Sequence, residues 1–179
     1  LWSGYETYFA HKPFRTLTKP AVAALRKWDK LAASRPDGMI AISQEVRERI
    51  KQYYGRDSIV IYPPVTLQNQ GARLDSAKLD EAGKKQNKED YFLLVSRLSK
   101  FTKYKRVDLA IEAFNELHLP LKIIGEGSWM KELKSKASRN IEFVGKVTDT
   151  ELVNYYKNSK ALVFPGVEDF GLVMSEAQL

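Results

Sequence analysis

From Tyr91 onward, short apolar runs alternate with stretches of helical period, and this alternation limits the folds open to the chain. The runs are Tyr91-Phe-Leu-Leu-Val95, Leu121-Lys-Ile-Ile124, Ile141-Glu-Phe-Val144 and Ala161-Leu-Val-Phe164. Each has the length of a strand rather than of a helix. Each stops at a polar residue, a glycine or a proline: Ser96, Gly125, Gly145 and Pro165. Between them, residues 107–117, 128–137 and 150–158 read as helices. In the first, Leu109, Ile111, Ala113, Phe114 and Leu117 are expected to face mostly the core, and Asp149 is expected to cap the third. Short apolar strands separated by helices predict an α/β fold with a parallel sheet covered by helices on both faces.

In such a sheet, ligands sit beyond the carboxyl ends of the strands. Four loops leave those ends, at 96–106, 125–127, 145–147 and 165–171, and all should open on one edge of one domain. The first is basic and contains Arg97 and Lys105. These two are the phosphate-binding candidates, one offering a fork of donors and the other a compact charge. Lys103 stands as the alternative to Lys105. The second loop, Gly125-Glu-Gly127, is either a tight turn or a ligand contact, with Glu126 beside it. The last stretch runs Pro165-Gly-Val-Glu-Asp-Phe-Gly-Leu-Val-Met-Ser-Glu176. It puts Glu168 in a loop, opens a helix at Phe170-Gly171 and carries Glu176 near the second turn. Backbone N–H groups at a helix start suit a diphosphate, and Gly171 permits a close approach. Two carboxylates can accept hydrogen bonds from sugar and ribose hydroxyls. Eight wholly helical residues would span ~12 Å, about the separation those two groups need.

Composition removes several other classes. The chain has 179 residues, enough for one domain or pieces of two, and no cysteine, which excludes disulfides and thiolate metal sites. His11 and His118 are far apart in sequence and form no metal-ligand cluster. No apolar run is long enough to cross a bilayer as a helix, and no signal-peptide pattern opens the chain. The net charge of +7 favours anionic partners: nucleotide diphosphates, acidic membrane surfaces or nucleic acid.

The first half is less regular. Residues 1–14 are rich in aromatics (Trp2, Tyr5, Tyr8, Phe9, Phe14) and read as a buried or half-buried helix that breaks at Pro13. Residues 15–33 read as a basic helix with Leu17, Ala21, Leu25, Trp28 and Leu31 on one apolar face. Its charged side suits solvent, or an anionic membrane. Gly38-Met-Ile-Ala-Ile42 is a buried-strand candidate, Ser43 an N-cap, 44–54 a helix, and Ser58-Ile-Val-Ile-Tyr62 a strand ended by Pro63-Pro64. Residues 66–90 are polar and read as a linker, with one short helix near 75–82.

Glu168 and Glu176 form an E-x7-E pattern inside E-D-F-G-L-x-x-x-E-A, and this resembles the retaining glycosyltransferases of family 4, group 1, which have the GT-B fold. Other phrases agree. Leu25-Arg-Lys-Trp-Asp29 is similar to the L-R-x-W-D of bacterial mannosyltransferases. The run from Ile40 to the Tyr62-Pro-Pro-Val65 phrase resembles the end of their first domain, and Arg97-Leu98 with Tyr104-Lys-Arg-Val-Asp-Leu109 resembles their phosphate loop. His11-Lys-Pro13 looks like the family's H-x-P. In the related mannosyltransferases that histidine precedes a Leu-Trp pair, and Leu1-Trp2 opens this chain, so His11 is expected to be a surface residue.

The resemblance implies a GT-B-type piece. Residues 1–65 would end the acceptor domain, 66–90 would link, and 91–179 would form a truncated Rossmann-like nucleotide-sugar domain. It implies a retaining sugar transfer from a nucleotide-diphosphate donor, GDP-mannose favoured, to a glycan or lipid-linked acceptor. Glu168, Arg97 and Lys105 would be catalytic. Glu176 would hold the ribose. Phe170, Gly171 and Leu172 would hold sugar and phosphate through backbone N–H groups, with Gly125 and Val144 beside the donor. It implies no cofactor and no required metal, a cytoplasmic location with peripheral membrane contact, and no turnover by the piece alone. The rival readings are a non-catalytic sugar-nucleotide-binding module and, ranked last, a basic nucleic-acid-binding α/β protein.

Overall fold

The computed structural model describes residues 2, 15–65 and 90–179, with the backbone alone at 15–17, 102 and 103. The aromatic stretch 3–14 with His11, the linker 66–89 and its short helix lie outside the described residues. The chain divides into two compact units, Leu1–Pro63 and Pro64–Leu179.

The first unit contains α1 (Arg15–Ala33), β1 (Ile40–Ala41), α2 (Gln44–Tyr54) and β2 (Ile59–Val60). Local chemistry sets the bounds of α2. The Ser43 hydroxyl accepts from the Val46 N–H at 3.2 Å, and Gly55, in the left-handed region at φ 69°, ends the helix. β1 and β2 pair in parallel, Ile40 opposite Ile59, closing one βαβ unit. The expected burial of β1 holds only at Ala41, since Ile40 is 64% exposed. The apolar face of α1 is turned outward: Leu25, Trp28 and Leu31 are exposed, while Val22 is buried. A polar knot explains that rotation. Asp29 Oδ2 accepts from Trp2 Nε1 at 2.6 Å and from the Tyr54 hydroxyl at 2.8 Å. The Arg26 guanidinium and the Lys30 ammonium lie over the Trp2 ring at 5.2 and 5.5 Å. These contacts draw the Val22–Arg26–Asp29 side of the helix inward.

The second unit runs β3 (Phe92–Val95), a 3-10 helix (Lys100–Lys105), α3 (Val107–Leu117), β4 (Leu121–Ile124), α4 (Met130–Lys136), β5 (Ile141–Gly145), α5 (Asp149–Asn158) and α6 (Leu172–Glu176). The sheet is parallel in the order β3-β4-β5. The expected strand at 161–164 lies on the other side of β3 as an extended segment. It is joined by one parallel bridge, Leu93 to Leu162, with Leu93 N–H donating to Ala161 O at 3.0 Å and Val163 N–H to Leu93 O at 2.7 Å.

Both faces of this sheet are covered, as near-continuous apolar strands require. On one face Leu94, Ile123 and Ile141 pack with Ile111 and Phe114 of α3 and Leu133 of α4. On the other, Tyr91, Leu93 and Ile124 pack with Leu152 and Tyr155 of α5. Two expectations need correction. The buried face of α3 is Val107, Ala110, Ile111 and Phe114, while Leu109 and Leu117 are exposed. Positions 107, 110, 111 and 114 share a stripe at 3.6 residues per turn; Leu109 and the exposed Ala113 fall off it, while Leu117 lies near the stripe but ends the helix and stays exposed. The N-cap of α5 is Thr148 and not Asp149. Thr148 Oγ1 accepts from the Glu151 N–H at 3.3 Å while Glu151 Oε2 accepts from the Thr148 N–H at 2.8 Å, a reciprocal capping box that starts the helix at Asp149.

Candidate functional site

β3 has β4 on one side and the 161–163 segment on the other, so the chain reverses its direction of travel across the sheet at β3. In open α/β sheets the crevice at such a reversal is where ligands bind. The loop leaving β3 carries Arg97 and Lys105, and the loop leaving the 161–163 segment carries Glu168. The two loops that flank the reversal are therefore the two with the charged candidates.

Arg97 stands on a braced exit. Past the strand ends, Ser96 N–H donates to Ile124 O at 3.0 Å and Leu98 N–H to Glu126 O at 2.9 Å, so the two chains run on side by side. That closeness demands the two glycines of Gly125-Glu-Gly127. A Cβ on Gly125 would stand 1.9 Å from Ser96 O, and one on Gly127 would stand 2.2 Å from Leu98 O. Their φ angles of 134° and 155° also favour glycine. The backbone accounts for this motif.

Lys105 and Glu168 meet because their backbones touch. Val167 N–H donates to Tyr104 O at 3.3 Å, and a Cβ on Gly166 would fall 2.6 Å from Lys105 Cα. The Lys105 ammonium is ion-paired with the Glu168 carboxylate, and their side chains are only 18% and 25% exposed. Burial pushes the Lys105 ammonium below its usual pKa, Asp169 opposes this, and the neighbouring Arg97 adds to the push. A cleft of about 280 Å³ is lined by Arg97, Tyr104, Lys105, Phe164, Glu168 and Val173. Two cations share one partly desolvated hollow with a carboxylate, which suits an anion carrying hydroxyl groups.

Glu176 is outside that lining. It sits at the end of α6 and accepts from the Tyr156 hydroxyl at 3.0 Å. Burial and the Glu176 carboxylate both raise the Tyr156 phenol. The eight residues from Glu168 to Glu176 are not one helix: α6 begins at Leu172 after Gly171 in the left-handed region at φ 82°. The spacing along a continuous helix therefore does not describe the pair. Gly171 O accepts from the Met174 and Ser175 N–H groups at 3.0 and 3.1 Å. Phe170 is half-buried, Leu172 is exposed, and Val144 packs against the Tyr91–Leu93–Ile124 cluster. The structure thus gathers Arg97, Lys105 and Glu168, and puts Glu176 with Tyr156. Sequence reasoning missed Tyr104, Phe164 and Tyr156, whose roles depend on neighbours remote in the chain. Among the described residues, no group of three or more His, Cys, Asp or Glu side chains is placed to hold a metal ion, and no helix is long and apolar enough to cross a membrane.

The sequence profile of the family described as glycosyl transferases group 1 matches residues 75–179. An uncharacterized glycosyltransferase of Methanocaldococcus jannaschii is 25% identical over 159 residues, covering 84% of this chain and 40% of the relative. Among solved structures, TarM matches with a TM-score of 0.60 at 24% identity, over 84% of this chain and 29% of that one. An S. aureus TarM variant in complex with fondaparinux, alpha-GlcNAc-glycerol and UDP matches with a TM-score of 0.62 at 24% identity, over 84% and 30%. The pneumococcal O-GlcNAc transferase GtfA, in complex with UDP and GlcNAc, matches with a TM-score of 0.54 at 21% identity, over 84% and 30%. These structures share the α/β fold. The chain spans about two fifths of its curated relative and under a third of each solved structure.

Proposed function

The chain belongs to the glycosyl transferases group 1 family, and from that premise we propose that its second unit binds a nucleotide-diphosphate sugar for a transferase that moves the sugar, with retention, to a glycan or lipid-linked acceptor. The observation that carries this reading is the meeting of Arg97, Lys105 and Glu168 in one cleft at the strand reversal. Arg97 and Lys105 take the charge that grows on the diphosphate as the sugar's bond to it breaks. An arriving diphosphate competes with Glu168 for Lys105 and leaves that carboxylate to accept from sugar hydroxyls. The N–H groups of Phe170, Gly171 and Leu172 hold sugar and phosphate, and Glu176 holds the ribose. The acceptor oxygen bonds the anomeric carbon on the face the phosphate leaves, and its proton passes to that phosphate. No metal enters this scheme.

The donor is GDP-mannose on the strength of the mannosyltransferase-like phrases. A UDP-sugar is the second reading, favoured by the UDP in two structural neighbours. The enzyme works in the cytoplasm. The exposed Leu25, Trp28 and Leu31 on a helix with lysines at 27 and 30 suit peripheral contact with the membrane that carries a lipid-linked acceptor.

Calorimetric titration with GDP, UDP and ADP tests the reading. GDP should bind selectively, and Arg97→Ala and Glu176→Ala should each weaken it about tenfold or more. Selective UDP binding would overturn the mannosyl assignment, and no binding by the folded chain would overturn the site.

A further inference from the structure

The Tyr156 hydroxyl donates to Glu176 Oε2 at 3.0 Å across 20 positions of sequence. The two partners are held very differently. The Tyr156 ring packs against the sheet face formed by Tyr91, Leu93 and Ile124. Its helix, α5, is ten residues long and opens on a complete capping box. Glu176 ends a five-residue helix that has no side-chain cap. A glutamate side chain on so short an element has several rotamers of similar energy. The tyrosine is anchored by the core, so it is the tyrosine that selects among them. Burial and the carboxylate both raise its pKa, which keeps the phenol a proton donor throughout the neutral range.

We propose that Tyr156 is a positioning residue for the donor's ribose: its hydroxyl holds Glu176 by Oε2 and leaves Oε1 to accept from the ribose hydroxyls. A carboxylate can serve both at once, because each oxygen carries two acceptor sites. The inference rests on the reading of Glu176 as the ribose contact. It adds that the precision of this contact comes from α5, through a residue outside the E-x7-E phrase.

The test is ribose selectivity, a ratio that a merely structural loss would not move. The full chain is titrated with GDP and UDP and with their 2′,3′-dideoxy forms. For the nucleotide that binds, loss of the ribose hydroxyls should weaken wild type about tenfold. In Glu176→Ala the two forms should bind about equally. In Tyr156→Phe, which keeps the ring in its packing, the ratio should fall to about threefold with the circular dichroism spectrum unchanged. The double variant should match Glu176→Ala. A wild-type ratio in Tyr156→Phe, or equal weakening of both forms, overturns the positioning role while Glu176 stands. An unchanged ratio in Glu176→Ala, or no nucleotide binding by the folded chain, overturns the donor-site reading and the inference with it.

Discussion

Both units are built on parallel strand–helix–strand logic, yet they use it to different depth. In the second unit, Leu93, Leu94, Leu121 and Ile123 are each at most 2% exposed, because helices cover both faces of the sheet. In the first, β1 and β2 have the same apolar character, but Ile40 and Ile59 are 64% and 71% exposed. A pair of two-residue strands offers little area on either face for other elements to cover. The first unit is held instead by polar devices: the Asp29 knot and Arg56, whose Nη1 donates to Ala33 O and Pro36 O at 2.7 Å. Apolar composition marks a strand that could be buried, and burial itself depends on what surrounds it.

The sharpest break of this comparison is a matched pair of truncations. Leu93→Ala should cost ~2–5 kcal/mol, since it leaves a cavity in a closed core. Ile59→Ala should stay within ~0.5 kcal/mol, as an exposed site does. Urea unfolding, with fluorescence of the buried Trp129 reporting the second unit, checks the first value; amide exchange at β2 checks the other. Equal costs would dissolve the contrast.

A smaller effect separates the glycines. Gly166→Ala would push a methyl into the Lys105 backbone and should cost ~1–3 kcal/mol, while weakening nucleotide binding by lifting Glu168 from its place. Gly55→Ala meets no atom within 4 Å and is opposed only by φ 69°, so it should cost ~1–2 kcal/mol without touching binding. Thermal melting combined with nucleotide titration separates the two mechanisms.

The smallest effect is alkaline. Tyr54 and Tyr156 both have phenols raised above 10.0, chiefly by burial, with Asp29 and Glu176 as carboxylate partners. A phenol raised on folding adds stability that is complete below its unfolded value and is lost as pH climbs through the folded one. Urea midpoints should therefore fall above pH 10. Tyr156→Phe should flatten that fall more than Tyr54→Phe, because the Tyr156 shift is the larger.

Much of the fold was legible where chemistry is local. α1 and α2 run over the bounds their periodicity predicts, and Ser43 caps as its place before Val46 requires. β4 likewise lies where three apolar residues and Lys122 stand between Pro120 and Gly125. What was not read differs in cause: the turn of α1 is set by remote residues, whereas the cap of α5 is a local box. Leu25, Trp28 and Leu31 form an apolar stripe, but Trp2 and Tyr54 hold Asp29 and rotate the helix away from it. Thr148 displaced Asp149 as cap because Glu151 completes a box with it. In the site, Arg97, Lys105 and Glu168 were nameable from their loops and from family resemblance, whereas Tyr156 carries no motif.

The sequence by itself determined the three strands of the second unit, the helices that follow them and their parallel sense, because strand length, helix period and terminating residues act over a few neighbouring positions. Only the tertiary structure decided which side of β3 the 161–163 segment takes. A crossover helix can return to either edge of a growing sheet, and nothing local distinguishes the two. The choice follows from which edge of β3 is left to pair, and it is this choice that brings Glu168 to Lys105 and Arg97.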